Sequence, residues 1–384
     1  MTRIAIVGGG IGGLTAAMAL RRAGVYVQIY ERAPAFGEVG AGISLTPNAV
    51  KGLESLGLGE FLTTHANEPL DQIMLHGTTG EELLRIDRRR CRETYGAAYY
   101  QMHRADLLNA FIGGLGDELC QLNKKVIAIE PHSRGVRIRF DDHCTVEADA
   151  VIAADGLRSV VRTSLFDSNE PKFSRHVAWR ALVPAERLGQ AYVARASINH
   201  IGAGRNFVTY PVRGDRYVNM VALTRFEQWA EESWSARAEP SELAEQFSLW
   251  TPYVQQAIAA IADGSLYRWG LFLRRPLDQW VKGRVALLGD AAHPMLPYMG
   301  QGASCAIEDA IILGRCFSTT NNVSTALARY ESSRITRGAM LQKESNAGGE
   351  RLQALDPYSL RDQPVRNEDS LGIFSYDPAT APLA

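Results

Sequence analysis

Paired cysteine motifs, net charge and long apolar runs are all scarce in this 384-residue sequence. Its five cysteines show no CxxC or cysteine–histidine spacing, which argues against a disulfide framework and against a zinc site. The net charge is −1, so electrostatics give no reason to expect a nucleic acid or a membrane surface as partner. No apolar run is long enough to span a bilayer. We therefore expect a cytoplasmic protein that holds no metal.

The composition is that of a globular protein, with 46% hydrophobic and 22% charged residues, and the length allows two or three domains. The apolar residues 4–20 imitate a secretion signal, but glycines interrupt them and the helical pattern runs on through Arg21 and Arg22. We interpret this segment as part of the fold. Only the sequence after about Leu355 has the pattern of a weakly structured tail.

The first motif lies in RIAIVGGGIGGLTAAMALRRAGVYVQIYERA, which predicts a strand, a tight turn, a helix and a second strand. Gly8, Gly10 and Gly13 allow the turn, the approach of a pyrophosphate, and close packing of the helix on the strand. The helix N-terminus offers free N–H groups to phosphates. Glu31, at the end of the second strand, offers acceptors to a ribose. The motif predicts a dinucleotide site and leaves FAD and NAD both open.

Two further apolar strands end on aspartates. ADAVIAADGLRSVVR places Asp155 directly after the strand predicted at residues 150–153, and RVALLGDAAHPMLPYMGQGASCAIEDA places Asp290 after residues 285–288. The second strand is followed by a loop rich in proline and glycine, and then by a helix predicted from about Ala303. These features indicate that a large polar ligand lies against the backbone.

The middle of the chain, between about residues 172 and 269, alternates apolar and polar residues and predicts a sheet. The pair Gly214–Asp215 predicts a hairpin turn. Because side chains alternate along a strand, Asn206, Val208 and Tyr210 are expected on one face. If this sheet covers a bound ring, one of its faces contacts the substrate.

Together these motifs resemble the FAD-dependent aromatic hydroxylases, which are single-component flavoprotein monooxygenases, and most of all the salicylate, 3-hydroxybenzoate and 6-hydroxynicotinate hydroxylase group. The resemblance includes the segments GAGISLTPNAV, YGAAYYQMHRADL, AWRALVP and FSYDP. It implies an α/β fold of the para-hydroxybenzoate hydroxylase type, in which a Rossmann-like FAD-binding domain and a sheet-rich substrate domain are interleaved and a helical segment follows. The implied ranges are 1–75, 100–170 and 270–345 for the FAD-binding domain, 76–99 and 171–269 for the substrate domain, and 346–384 for a C-terminal tail.

The resemblance also implies a set of cofactor-binding residues. They are Gly10, Gly12, Gly13, Glu31, Arg32, Gly42, Ile43, Arg104, Val126, Asp155, Asp290, Pro297, Gly300, Gln301, Gly302 and Ala303. In this set Arg104 reaches the ribose and phosphate region, and Val126 lies against the adenine. Asp155 serves both FAD and the reduced nicotinamide cofactor, and Asp290 binds the ribityl hydroxyls.

Tyr210, Asn206 and Pro297 are the implied catalytic residues. The hydroxybenzoate and hydroxynicotinate enzymes have a histidine and a tyrosine four residues apart, and the histidine position is Asn206 here. An amide takes no proton near neutral pH, so the identity of the general base stays open. Ser44 stands where the 6-hydroxynicotinate enzyme has a histidine, which is a second departure from that enzyme.

Two arginines of the predicted sheet, Arg180 and Arg205, are candidates by position to bind a substrate carboxylate. For both we expect a surface or structural ion pair instead. His293, which precedes a proline, is likewise expected to be structural.

The activity implied by the resemblance is hydroxylation of a small aromatic acid such as a hydroxybenzoate, salicylate or a hydroxypyridine carboxylate. It uses FAD, O₂ and transiently bound NADH or NADPH, and it proceeds through a flavin C4a-hydroperoxide. Gly40, Ala41 and Gly42 beside the ring would give the flavin room to move. The protein would be a monomer or homodimer. An FAD-dependent oxidase or oxygenase with another small ring substrate, and a flavin-free NAD-binding protein, stay open as alternatives.

Overall fold

The computed structural model describes residues 2–36, 42–229, 236–362, 368 and 370–384. Within these ranges, the strands in chain order are β1 (Arg3–Val7), β2 (Tyr26–Tyr30), β3 (Gly42–Leu45), β4 (Asp71–His76), β5 (Glu82–Asp87), β6 (Tyr100–His103), β7 (Cys120–Gln121), β8 (Val126–His132), β9 (Gly135–Phe140), β10 (Thr145–Ala148), β11 (Ala150–Ala153), β12 (Lys172–Pro184), β13 (Ala196–Gly202), β14 (Arg205–Val212), β15 (Tyr217–Arg225), β16 (Ala236–Ala238), β17 (Leu266–Leu273), β18 (Val281–Lys282) and β19 (Val285–Leu287).

The α-helices of the same ranges are, in chain order, α1 (Ile11–Arg22), α2 (Pro47–Ser55), α3 (Gly59–His65), α4 (Cys91–Tyr95), α5 (Arg104–Leu115), α6 (Val160–Leu165), α7 (Pro240–Gln246), α8 (Pro252–Ala259), α9 (Gln301–Ser318), α10 (Val323–Leu352) and α11 (Ser359–Asp362). Among these described helices, none combines the length and the apolar composition that crossing a membrane requires.

A six-stranded sheet with the strand order β18-β19-β11-β1-β2-β7 contains the first motif. Strand β1 runs parallel to β2 and β11, and β11 runs parallel to β19. In this register Val7 lies beside Ala153, and Ala153 lies beside Leu287. The glycine turn and the two aspartate segments therefore leave the sheet at the same edge, at the carboxyl ends of three neighbouring strands. The strands predicted at 4–7 and 150–153 are confirmed.

An eight-stranded sheet with the order β16-β17-β12-β15-β14-β13-β4-β5 contains the middle of the chain. The predicted hairpin is confirmed, because β14 and β15 pair in antiparallel fashion around the turn at Gly214 and Asp215. Both turn residues have positive φ values, +62° and +64°, a conformation that glycine and aspartate tolerate better than most residues.

The two faces of the eight-stranded sheet have different surroundings: one packs on helices and the other lines a cavity. Side chains such as Trp179, Ala181 and Phe207 point to the outer face, where they form a core with helices α7 and α8. Asn206, Val208 and Tyr210 point to the inner face, toward the six-stranded sheet, as the alternation predicted. The sheet therefore divides a dry core from a surface that is free to meet a ligand.

A buried network of charges joins α9 and α10 beneath the segment that carries Asp290. The Arg334 guanidinium donates to Glu308 at 2.7 Å and to Asp309 at 2.8 Å. Asp309 also accepts hydrogen bonds from the His293 ring at 2.6 Å and from the Gly289 amide at 3.1 Å. Burial alone would lower the pKa of Arg334, but the two carboxylates raise it. The expected structural role of His293 is confirmed.

Two expectations need correction. Helix α9 begins at Gln301 rather than at about Ala303, because Gly300 takes a left-handed conformation, with φ of +63°, directly before the helix. The segment after Leu355 was expected to be weakly structured, yet Ile373 and Phe374 are fully buried. These apolar side chains anchor the described end of the chain on the rest of the protein.

We expect the substitution Arg334→Met to lower the free energy of unfolding by about 3–5 kcal/mol, because it leaves buried carboxylates without their cation. Urea titration followed by circular dichroism measures the change. The matched control is Arg329→Met, an exposed position of the same helix, which should change stability by no more than about 0.5 kcal/mol. Equal stability losses in the two variants would contradict the structural role of the network.

Candidate active site

A cavity of 1420 Å³ lies between the strand ends of the six-stranded sheet and the inner face of the eight-stranded sheet. Most of the residues predicted for the site line it. They are Gly10, Gly12, Glu31, Arg32, Gly42, Ile43, Arg104, Val126, Asp155, Asn206, Tyr210, Asp290, Pro297, Gly300, Gly302 and Ala303. Ser44 also lines the cavity, whereas Gly13 and Gln301 do not. Gly40 and Ala41 lie outside the described residues.

The glycine turn brings the backbone to the cavity wall. A Cβ atom on Gly12 would come within 2.7 Å of the Leu288 side chain, and one on Gly13 within 2.0 Å of the Gly8 carbonyl oxygen. Gly13 therefore serves the packing of α1 on β1 and does not face the cavity. The first turn of α1 has no acidic side chain, so its free N–H groups are available to an anion.

Glu31 closes this end of the cavity. Its carboxylate accepts hydrogen bonds from the Gly9 amide at 2.6 Å and from the Ala33 amide at 2.8 Å. These bonds fix the orientation of the carboxylate, and each oxygen has a second lone pair for a ligand hydroxyl.

Two aspartates face the cavity from the strand ends. Burial raises the pKa of Asp155, whose Oδ2 accepts a hydrogen bond from the Val161 amide at 3.4 Å. The buried Oδ1 has no hydrogen-bond partner among the residues that the structure describes. Burial also raises the pKa of Asp290, against the opposing effect of the His293 and Arg104 cations. The Asp290 side chain borders the cavity and is exposed to it.

Arg104 lies near both acidic ends of the site. Burial and the cation of Arg180 lower the pKa of Arg104 to about 10, and the Asp290 and Glu31 carboxylates act against this shift. A guanidinium placed between these two carboxylates matches a ligand that carries phosphate between two hydroxyl-bearing groups.

The loop from Pro297 to Gly302 supplies backbone to the cavity. Gly300 makes its left-handed turn here, and Gly302 lines the wall without a side chain. Gln301 was predicted to bind the cofactor, but its side chain points away from the cavity. Its amide group bonds to Thr46 and Asn48 in a buried polar cluster, at 3.2 Å in each case. This cluster holds the start of α9 against α2.

Tyr210 sits on the inner sheet face against the strand that follows the first motif. A Cβ atom on Gly42 would come within 2.6 Å of the Tyr210 ring and 2.7 Å of the Asn219 side chain. Asn219 also accepts a hydrogen bond from the Gly42 amide at 2.7 Å. Burial raises the pKa of Tyr210 well above its ordinary value, so its hydroxyl stays protonated at neutral pH.

Asn206 lines the cavity and is held by two neighbouring amides. Its Nδ2 donates to Asn199 at 3.2 Å, and its Oδ1 accepts from Gln353 at 3.2 Å. Gln353 follows the C-terminal end of α10, so this chain of amides ties the sheet to the long helix. Asn206 therefore orients the wall of the cavity and has no basic group to offer.

Of the two arginines considered as carboxylate-binding candidates, Arg180 lines the cavity and Arg205 does not. Arg205 lies outside the cavity wall, and its guanidinium donates to the backbone carbonyl of Gln246. Arg180 was expected to form a surface or structural ion pair, and this expectation is wrong. It lines the cavity deep in the protein, and in the part of the chain that the structure describes it pairs with no carboxylate.

Sequence reasoning missed two groups at this site, Trp269 and Asn219. Trp269 lies in β17, where its ring faces the Arg180 guanidinium at 4.6 Å, and Asn219 anchors Gly42. The alternation of side chains along β15 and β17 predicts which sheet face Asn219 and Trp269 share with their neighbours. Only the pairing of the strands shows that this face borders the cavity.

The residues present fit an FAD molecule. The N-terminus of α1 suits a pyrophosphate, and the unpartnered Oδ1 of Asp155 together with the Asp290 carboxylate suits the hydroxyl groups of a ribityl chain. The glycines of the loop after Pro297 leave room for a flat ring beneath the sheet.

Comparisons with known proteins agree with this geometry. Residues 1–345 match the family model described as FAD binding domain. A 3-amino-4-hydroxybenzoate 2-monooxygenase of Streptomyces platensis is 35% identical over 97% of this chain and 95% of that protein. A 6-hydroxynicotinate 3-monooxygenase of Pseudomonas fluorescens is 34% identical over 99% and 96%. The crystal structure of Klebsiella pneumoniae HpxO with FAD and uric acid is 28% identical, covers 97% of this chain and 96% of that chain, and superposes with a TM-score of 0.87.

We expect Asp290→Asn to weaken FAD binding by about ten-fold or more, because a charged acceptor at the strand end is lost. Titration of the apoprotein with FAD, followed by quenching of flavin fluorescence, measures the affinity. Asp278→Asn, at an exposed aspartate, serves as the control and should bind FAD like the unaltered protein. Unchanged affinity in Asp290→Asn would contradict the assignment.

Proposed function

Because this chain belongs to the family described as FAD binding domain, and its relatives of similar length are monooxygenases, we propose that it is an FAD-dependent monooxygenase that hydroxylates a small aromatic acid. One observation carries the proposal. A single cavity joins the glycine turn and both strand-end aspartates to the inner face of the eight-stranded sheet. A cofactor and a small substrate therefore have adjoining places in one enclosure.

The FAD would be held by groups from three strand ends. We assign the pyrophosphate to the N-terminus of α1, a ribose to Glu31, and the ribityl chain to Asp290 and Asp155. Arg104 would neutralise phosphate charge between them. When bound, FAD supplies the redox chemistry, taking hydride from NADH or NADPH and activating O₂.

The inner sheet face would hold the substrate. We propose that residues 76–99 and 171–269 form most of a substrate domain beside an FAD-binding domain of residues 1–75, 100–170 and 270–345. The eight-stranded sheet extends past two of these bounds, because β4 begins at Asp71 and β17 ends at Leu273. The assignment to aromatic acids is supported by the relatives that act on an aminohydroxybenzoate and on 6-hydroxynicotinate. Val208, Val221 and Leu223 line the cavity and provide apolar contact for a ring.

The end of α10 would help to exclude water. Glu350, Leu352 and Ala354 line the cavity, and Gln353 bonds to the sheet through Asn206 and the Leu223 carbonyl. An enclosure closed in this way favours transfer of oxygen to the substrate over loss of hydrogen peroxide to solvent.

Tyr210 would orient the substrate hydroxyl as a neutral hydrogen-bonding group. Its raised pKa keeps the phenol protonated below and around neutral pH, so it donates one hydrogen bond and accepts another. Asn206 offers an amide beside it. Neither residue takes a proton from the substrate at neutral pH, and their work is positioning.

A screen of NADH and NADPH oxidation against hydroxybenzoates, hydroxypyridine carboxylates and urate tests the function. We expect a yellow protein whose oxidation of the nicotinamide is stimulated by an aromatic acid, with a product that gains one oxygen atom by mass spectrometry. Production of hydrogen peroxide without added nicotinamide would identify an oxidase instead. A colourless protein that takes up no FAD would refute the proposal altogether.

We expect Tyr210→Phe to lower the fraction of oxidised NAD(P)H that yields hydroxylated product by several-fold, on the order of one lost hydrogen bond. Because the raised pKa keeps Tyr210 neutral, the pH profile from about pH 6 to about pH 9 should keep its shape. Product and cofactor consumption are measured together. Tyr253→Phe is the matched control, since that hydroxyl bonds to Thr209 on the outer face of the same strand, at 2.7 Å. Unchanged coupling in Tyr210→Phe would remove Tyr210 from the site.

A further inference from the structure

Arg180 is a cation in the cavity wall whose counter-charge the described chain does not provide. Its side chain lines the cavity, while its neighbours Trp179 and Ala181 pack in the core on the opposite side of the sheet. The Nε atom is buried, and no described residue forms a hydrogen bond with it. Within the described ranges no carboxylate pairs with this guanidinium, and its titratable neighbour Tyr210 is a neutral phenol at neutral pH.

A second cation shows why the missing partner matters. Arg104 faces the same cavity, and there the Asp290 and Glu31 carboxylates favour its charge. Arg180 repels Arg104, and among the described residues no acidic group favours the charge of Arg180. A deeply placed charge without a partner is strongly unfavourable, so an anion that arrives with a ligand would satisfy it.

The surroundings of Arg180 suit a planar anion. The Trp269 ring lies 4.6 Å from the centre of the guanidinium, and such a contact both stabilises the cation and limits its orientation. A guanidinium held in one plane presents two parallel N–H donors to a carboxylate.

The sheet register places apolar surface next to this cation. Arg180 lies beside Val221, and Val221 lies beside Val208 in the next strand. Asn199 follows on the far side of Val208. All four residues line the cavity, so the row runs from a positive end across two valines to an amide end. An aromatic ring that carries a carboxylate at one edge and a polar substituent elsewhere matches this order.

We propose that Arg180 binds the carboxylate of the aromatic substrate and thereby selects acids over neutral rings. The inference rests on the proposed function, because it requires an aromatic acid in the cavity. In this arrangement the substrate carboxylate lies at β12, and the aromatic ring contacts Val221 and Val208.

The test uses ligand binding to the FAD-loaded protein, which needs no turnover. Salicylate, 3-hydroxybenzoate and 6-hydroxynicotinate, each with its carboxamide, are titrated while the visible spectrum of the bound flavin is recorded. In Arg180→Gln we expect the affinity for the acid to fall by about 10- to 100-fold, with little change for the carboxamide. Arg205→Gln is the matched control, because that arginine lies on the same sheet outside the cavity, and it should leave both affinities unchanged.

Arg180→Lys guards against a variant that fails to fold. It keeps the charge but loses the planar pair of donors, so it should still prefer the acid to the carboxamide, with an affinity between those of the unaltered protein and Arg180→Gln. FAD content and the flavin reduction potential are measured on every variant.

The outcomes separate the inference from the function on which it rests. If the unaltered protein binds none of the acids, the proposed function fails. If it binds an acid and Arg180→Gln loses acid and carboxamide equally, or loses neither, the carboxylate assignment is overturned while the function stands. A shifted reduction potential with unchanged preference for the acid would show that Arg180 serves the flavin, and would also overturn the assignment.

Discussion

The central constraint on this structure is that two carboxylates, Asp155 and Asp290, face one cavity. Asp155 and Asp290 lie at the ends of buried strands, where burial raises the pKa of each carboxyl group. A fold keeps such groups only when something compensates the loss of water. The parallel register of β1, β11 and β19 brings both aspartates and the glycine turn to one edge of the sheet. That edge is where ligands bind in open α/β sheets.

The eight-stranded sheet forms the wall of the cavity opposite this ligand-binding edge. Its outer face is packed on helices, so its inner face alone meets the cavity. Tyr210 contacts Gly42 and thereby joins the inner face of the eight-stranded sheet to strand β3. The buried network around Arg334 holds α9, α10 and the Asp290 segment together from behind. Rigid support on both sides of the cavity is what orientation of a small substrate requires.

Much of this architecture could be predicted from the sequence because its signals are local. The first strand, turn and helix follow from the spacing of Gly8, Gly10 and Gly13, and the alternation in β14 gives the correct face for Asn206 and Tyr210. The position of Arg180 in the cavity wall could not be predicted, because it depends on which strands pair with β12. Gln301 was predicted to bind the cofactor, but its side chain forms hydrogen bonds with Thr46 and Asn48 instead. These partners lie more than 250 positions away in the chain, so the local sequence could not show the contact.

A crystal structure of the protein purified with its flavin is the most direct test of this arrangement. We expect one FAD molecule along the carboxyl ends of β1, β11 and β19, with the Asp155 and Asp290 carboxylates each at hydrogen-bond distance, about 3 Å, from that molecule. Its ring would lie beneath the inner face of the eight-stranded sheet. A flavin bound elsewhere, or one that leaves both carboxylates without contact, would rule out the proposed cofactor site.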